Sequence, residues 1–420
     1  MKLSGRSSLT GGGKRISMKD LISVGDLKIG SREKKAINKV LVSGRISEGE
    51  FTKEFEKAWA GFIGVKYCLV TSSGSGALIT ALTALKYLYN LKERPKVITS
   101  PLTYIADASA LSVSGFDPVF VDIDPETFCI TPENIRRHLC GVSDAERYSI
   151  ILPVDLAGYC VKLDRIKKVA KEFNLLVLED AAQAHGSIYQ GRKCGSGADA
   201  GIFSFYIAHN IQAGEMGAIT TNNHEIYRLA KKIKAQGRLC ECRKCTRREG
   251  FCPQLENYKG KDDFDPRFTH DIIGYNFKAM EFQSALALCQ MEKIEWIIKK
   301  RRENVKYLNE HLEKYSAILQ LPLYLENVSY LMYPLVIKDP VRVARKELRL
   351  ALEKNGIETR VLFGCIPTQQ PAYKHLLEKY KGKLPNAEYV GKHGLYIGCH
   401  QYLTQRDLEK IVKAFGRILG

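Results

Sequence analysis

No stretch of the 420-residue chain approaches the run of about 18–20 apolar residues that a bilayer span needs. Its opening, MKLSGRSSLTGGGKRIS, has basic residues but none of the apolar segment that a secretory leader places behind them. The chain is therefore expected to have no membrane span and to be cytoplasmic. Repeats at the periods of solenoid proteins are missing. So are a nucleic-acid-binding motif and a stripe of interleaved basic and aromatic residues, so nucleic acid is not an expected partner. Nor is the composition extreme: 45% hydrophobic and 26% charged residues exclude collagen-like, disordered and disulfide-scaffold classes. The chain does carry an excess of one charge, 64 Lys and Arg against 46 Asp and Glu, formally +18. That excess is spread through KKVAKE, RLAKKIKAQGR and IIKKRREN at spacings that suit the outer faces of helices, and it is compatible with an anionic small-molecule substrate.

What the sequence has is a succession of short apolar, β-branched runs: YCLVTSSG, VITSP, PVFVDID, YSIILPVD, LLVLED, AGIFSFY and GAITTNN. Helical patterns separate them, which predicts a wound α/β sheet with functional residues where strands end. The segment from AMEFQSALALC to LNEHLEKY predicts one long amphipathic helix linking two domains. Residues 1–20 read as a flexible arm, 21–295 as a large domain and 296–420 as a smaller C-terminal domain. In the last, SYLMYPLVI predicts a strand, and VARKELRLALEKNG and LTQRDLEKIVKAFGRIL predict helices.

Four segments carry chemistry. Thr71 to Ala77 (TSSGSGA) is a small-residue turn opening a helix; it suits a phosphate, because free backbone N–H groups and the positive dipole end meet there, or serves as a plain strand-to-helix connection. Thr103-Tyr104 follows a strand, and Tyr104 reads as a stacking aromatic or as core. In Glu179 to Gly186 (EDAAQAHG), Asp180 suits a helix cap, a metal ligand or the partner of a protonated pyridine nitrogen. Within the same segment, His185 reads as a buried histidine bonded to backbone. The fourth segment is Phe203 to Asn210 (FSFYIAHN).

In this order, and with EDAAQAHG and GYNF among them, the segments resemble the StrS/DegT family of pyridoxal phosphate (PLP)-dependent nucleotide-sugar aminotransferases. The resemblance implies the aspartate-aminotransferase (type I PLP) α/β fold, a large mixed-sheet domain plus a smaller C-terminal α/β domain, in a homodimer. It implies that Ser73, Gly74, Ser75 and Ser204 hold the cofactor phosphate, that Asp180 pairs with the ring nitrogen, that Gln183 reaches the ring hydroxyl and that Asn276 reaches the phosphate of the neighbouring subunit. Arg360 reads as a substrate-anion ligand or a lock between domains. Where the family carries its Schiff-base lysine, the chain has His209. An imidazole cannot make that covalent link but moves protons near neutral pH. In this the chain is similar to the sugar 3-dehydrase branch, which uses pyridoxamine phosphate (PMP) to remove the C3 hydroxyl of a nucleotide-linked 4-keto-6-deoxyhexose. An aminotransferase using a distant lysine and a non-catalytic cofactor-binding regulator are the alternatives.

Of the 12 cysteines, those at 68, 129, 140, 160, 194, 289, 365 and 399 read as mostly buried thiols. Cys240, Cys242, Cys245 and Cys252 crowd one charged loop, 240–252, and close-set thiolates point to a metal or cluster. By resemblance to the reductive dehydrases this is a [2Fe–2S] site fed by a flavin/iron–sulfur reductase; zinc is the alternative. The fourth ligand of those enzymes falls here at Ala182, so either Cys245 completes the set or Cys194 joins it.

Overall fold

The computed structural model of the chain describes residues 21–91, 94–242, 246, 250–258 and 263–420. The expected arm, 1–20, and Cys245 lie outside these residues. Each apolar run listed above forms a strand of one seven-stranded sheet: β1 (Tyr67–Thr71), β2 (Lys96–Thr99), β3 (Asp117–Phe120), β4 (Tyr148–Leu152), β5 (Leu176–Asp180), β8 (Ala200–Ser204) and β9 (Gly217–Thr221). Between β5 and β8 lies a hairpin of β6 (Ile188–Tyr189) and β7 (Arg192–Lys193). The order across the large sheet is β1-β9-β8-β5-β4-β2-β3, with β9 antiparallel to both its neighbours. The remaining pairs are parallel. Near-continuous apolar strands follow from this, since helices cover both faces and leave little room for the alternation of a half-wet sheet.

Four helices bear on the site: α1 (Ser31–Ser43), α2 (Glu50–Ile63), α3 (Gly74–Leu88) and α4 (Ala106–Val113). A second, antiparallel sheet orders β10 (Leu319–Gln320), β11 (Tyr333–Ile337), β13 (Gly394–Ile397) and β12 (Arg360–Val361). The two predicted helices beside it run Arg345–Lys354 and Gln405–Leu419; the second is capped by Thr404, whose hydroxyl accepts from the Asp407 N–H. One apolar core joins the sheets: Ile98, Val119 and Ile151 share it with Leu335, Ile397 and Phe415.

The structure departs from the sequence reading in three places. The long helix is two, Glu281–Met291 and Ile294–Leu312, with a turn that brings Lys293 Nζ 2.8 Å from the buried carboxylate of Glu33 on α1. The basic helices are not wholly solvated: Arg301 is fully buried, Lys234 donates to Glu48 and the Val70 carbonyl, and Lys232 pairs with Asp271. Cys140, at the end of the helix Pro132–Cys140, is exposed rather than buried.

A buried carboxylate ties the start of α2 to the chain 230 residues later. Glu281 accepts from the N–H groups of Gly49 (2.6 Å), Phe51 (2.9 Å) and Thr52 (3.0 Å) and from the Thr52 hydroxyl (2.5 Å). It supplies both the hydrogen bonds and the negative charge that the first turn of a helix lacks. Glu281→Ala strands those donors out of water and is expected to cost about 3 kcal/mol, read as a lowered urea midpoint; an unchanged midpoint contradicts the capping role.

Candidate active site

Strands β1, β5 and β8 end at one edge of the sheet, and with them the residues singled out above. Beyond β1, Ser73 caps α3, its Oγ accepting from the Gly76 N–H at 3.0 Å. The amides of Gly74 and Ser75, in the first turn, have no acceptor within the helix. The turn is pressed against the ends of β8 and β9. A Cβ on Gly74 would lie 2.7 Å from Ser204 Cβ, one on Gly76 3.2 Å from the Phe277 ring, and one on Gly217 2.2 Å from the Ser73 carbonyl oxygen. These contacts bring the Ser73 turn against Ser204, and hydroxyls and first-turn amides gathered in this way can hold a phosphate.

Asp180 ends β5, is 7% exposed and accepts from the Ala182 N–H at 2.9 Å. Burial pushes its carboxyl up to about 6, against the Ala182 N–H and Asp107, both of which lower it; among the described residues no cationic group acts on it. Asp107, on α4 and buried, faces it and accepts from the Thr103 hydroxyl at 2.6 Å. Sequence reasoning missed Asp107, although its place one helical turn after Tyr104 was a signal. A buried carboxylate without a cation suits a protonated ring nitrogen. Gln183 is buried, and its Oε1 accepts from the Ala157 N–H at 2.9 Å, which leaves the Nε2 end to donate to a ring oxygen. Tyr104 is 61% exposed, its ring edge-on to Phe363.

His209 lies in the loop after β8. Its Nδ1 lies 3.3 Å from the Tyr206 carbonyl, and its ring stacks on His185 at 5.7 Å. With Nδ1 as the donor, Nε2 is the free base. Desolvation pushes the imidazole down to about 4; the Tyr206 carbonyl opposes the shift and the Arg301 charge adds to it. His185 is itself buried, its Nδ1 accepting from the Ile211 N–H at 3.3 Å. Arg301 donates to the carbonyls of Tyr330 and Leu331 and to Gln401. Its place on the apolar stripe Ile294, Ile297, Ile298, Arg301, Val305, Leu308 was the sequence signal for its burial.

The other predicted residues sit apart. Asn276 is exposed, its Oδ1 accepting from Lys278 Nζ at 2.6 Å. Arg360 is on β12, bonded through Nε and Nη2 to Glu358, whose other oxygen accepts from the Val24 N–H. Cys240, Cys242 and Cys252 line one hollow with Asp265, Pro266 and Arg267. Cys194 is not among them; it is buried, its Sγ 3.2 Å from Cys160.

A phosphate cradle, a buried carboxylate and a wound sheet of this order define a type I PLP-enzyme fold, and comparison with solved structures agrees. The chain belongs to the DegT/DnrJ/EryC1/StrS aminotransferase family, whose family model matches residues 27–416. It is 31% identical to the lipopolysaccharide biosynthesis protein RfbH of Salmonella typhimurium, over 93% of this chain and 90% of that one. It is also 31% identical to the GDP-perosamine synthase of Caulobacter vibrioides, over 89% and 91% of the two chains. Among solved structures, the GDP-4-keto-6-deoxymannose-3-dehydratase ColD, as a histidine-to-asparagine variant with bound GDP-perosamine, superposes with a TM-score of 0.81 at 27% identity, over 94% of this chain and 99% of that one. The family thus holds PLP-dependent nucleotide-sugar aminotransferases and 3-dehydratases. No helix among the described residues is long and apolar enough to cross a membrane.

The cradle makes a direct prediction. Gly217→Ala drives a methyl into the Ser73 carbonyl and should weaken cofactor binding at least tenfold in an absorbance titration, whereas Gly61→Ala, with open space around it, should not. Equal affinities would show that the turn does not hold the phosphate.

Proposed function

We propose that the chain is a PMP-dependent 3-dehydratase acting on a nucleotide-linked 4-keto-6-deoxyhexose, with His209 as its base. The observation that carries this reading is the imidazole of His209, its Nδ1 beside the Tyr206 carbonyl and its protonation disfavoured by desolvation, on the loop where the family's aminotransferases keep a lysine. When bound, the cofactor supplies an amine to the keto sugar and a protonated ring that accepts electrons. Ser73, Ser204 and the amides of Gly74 and Ser75 would hold its phosphate, Asp180 its ring nitrogen, and Gln183 its hydroxyl. Tyr104, at the exposed mouth, is placed in sequence to cover the ring. His209 Nε2 takes up the proton whose removal precedes loss of the C3 hydroxyl and then returns a proton to the leaving oxygen. The Tyr206 carbonyl and the stacked His185 ring hold the tautomer and the orientation that this needs.

The aminotransferase reading needs a lysine amine from elsewhere in the chain, since the segment Phe203 to Asn210 has none. A non-catalytic regulator would have no use for a base poised beside a complete cofactor shell. Arg360, half-exposed and already paired with Glu358, is proposed to turn toward a substrate phosphate. The active form is proposed to be a homodimer in which Asn276 reaches the neighbouring site. Exposed Leu41, Val42 and Ile273 support burial of apolar surface in that dimer.

The cysteine loop is proposed to hold a metal centre made by Cys240, Cys242, Cys252 and Cys245. The place of three of these along one hollow supports it. A [2Fe–2S] cluster there, reduced by a flavin/iron–sulfur reductase, would make the dehydration reductive; zinc would leave the loop a structural clip. Protein purified without oxygen should be brown, with about two irons and two sulfides per chain. Colourless protein that dehydrates without a reductase contradicts the electron-transfer role.

His209→Asn keeps a hydrogen-bonding group but no base, and should lower kcat by about a hundredfold or more while cofactor affinity stays the same. Wild-type turnover in that variant removes His209 from the mechanism. Because the folded imidazole titrates near 4, the base form persists well below the ordinary histidine range. The acid limb that His209 imposes on kcat/KM should therefore fall near pH 4; a limb at 6.5 that disappears in the variant contradicts the desolvated site.

A further inference from the structure

Directly behind the cofactor carboxylate lies a second cluster of ligating groups that the dehydration does not use. Asp155 follows β4, Glu179 precedes Asp180 on β5, and Cys194 follows the β6–β7 hairpin; they are 0%, 2% and 3% exposed. One oxygen of each carboxylate and the sulfur lie within 4.8 Å of one another. Cys160, half-buried, brings a fourth ligand atom, its Sγ 3.2 Å from that of Cys194.

The backbone satisfies only the outer half of this cluster. Asp155 Oδ1 accepts from the Val161 N–H at 2.9 Å, and the Gly195 N–H reaches Glu179. The inward oxygens, Asp155 Oδ2 and Glu179 Oε2, are buried and receive no donor from the described residues other than a proton that the two carboxyls share. Lys167, the cation that acts on Glu179, has its Nζ bonded to the Gly197 carbonyl. Two carboxyls facing each other are costly in an apolar interior unless a shared proton or a cation lies between them.

We propose that Asp155 Oδ2, Glu179 Oε2, Cys194 Sγ and Cys160 Sγ bind one zinc ion. Two sulfur ligands favour zinc over magnesium or calcium, which take oxygen. Neighbouring ligands of tetrahedral zinc lie about 3.3–3.8 Å apart; Asp155, Glu179 and Cys194 are already grouped within 4.8 Å, and Cys160 turns in from its place beside Cys194. On binding, both thiols and the carboxyl pair release their protons to solvent. Four anionic ligands and one Zn²⁺ leave the net charge of an ordinary four-cysteine site. The half-buried Cys160 gives the ion its way in. All four ligands come from the protein, so the ion is structural. It pins the loop after β4 and the turn at Cys194 to the end of β5, where the Asp155 N–H already donates to the Asp180 carbonyl at 2.9 Å. It thereby fixes the strand end that presents the Asp180 carboxylate.

The test separates this site from the cysteine loop. The full chain carrying Ser at positions 240, 242, 245 and 252 is purified under reducing conditions, loaded with zinc alone and freed of excess. Elemental analysis should give about one zinc per chain. Zinc-edge absorption should give a mixed shell with oxygen near 2.0 Å and sulfur near 2.3 Å. Adding Cys160→Ser and Cys194→Ser should remove that zinc while leaving the circular dichroism unchanged. In the chain with its loop intact, the same pair should remove one equivalent and spare the loop's metal, which keeps the test valid if the loop variant fails to fold. No retained zinc in the loop variant, a shell without sulfur, or equal metal with and without Cys160 and Cys194 overturns the proposal.

Discussion

The carboxylate of Asp180 is held at the end of a central strand, nearly out of water, with no cationic side chain among the described residues acting on it. The Ala182 N–H and Asp107 relieve that burial only in part, and in the proposed reading a protonated pyridine ring brings the positive group that completes the site. β5 lies beside β8, which carries Ser204 and leads to His209; β9 and β1 follow, and β1 ends at the Ser73 turn. Ser204 thus stands one strand from Asp180, and the Ser73 turn, at the end of β1, three strands away. Glycines at 74, 76 and 217 let the cradle close against the sheet.

His209, which is half-buried, feels desolvation in a different way. Neutral imidazole tolerates desolvation that an ammonium group would not, and the fully buried Arg301 further disfavours a second cation nearby. In the proposed reading, the surroundings that weaken His209 as a base also guarantee that it is unprotonated and points one defined nitrogen at the cofactor. Replacing lysine by histidine in this environment gives up covalent cofactor capture and keeps proton transfer.

Much of this was legible in the sequence, because the strands are short apolar runs and the functional residues follow them directly: LLVLED leads to Asp180 and AGIFSFY to His209. What was not legible depends on partners far along the chain. Nothing in IIKKRREN distinguishes Arg301 from its solvated neighbours except its phase on the helix, and nothing local shows that Lys293 breaks that helix to reach Glu33. Cys194 read as a spare ligand for the loop because both contain cysteine, but the β6–β7 hairpin carries it to Cys160 instead. Asp107 drew no notice because its importance comes from Asp180, 73 residues later.

The central claim is that this chain holds its cofactor without a covalent lysine link. The direct measurement is to reconstitute the protein with PLP, reduce it with borohydride, denature and digest it, and search by mass spectrometry for a phosphopyridoxyl group on lysine. The account predicts unmodified lysines at stoichiometric occupancy and full recovery of free cofactor, with retention before denaturation lost on Asp180→Ala. A stoichiometric phosphopyridoxyl-lysine would contradict it and make the chain an aminotransferase.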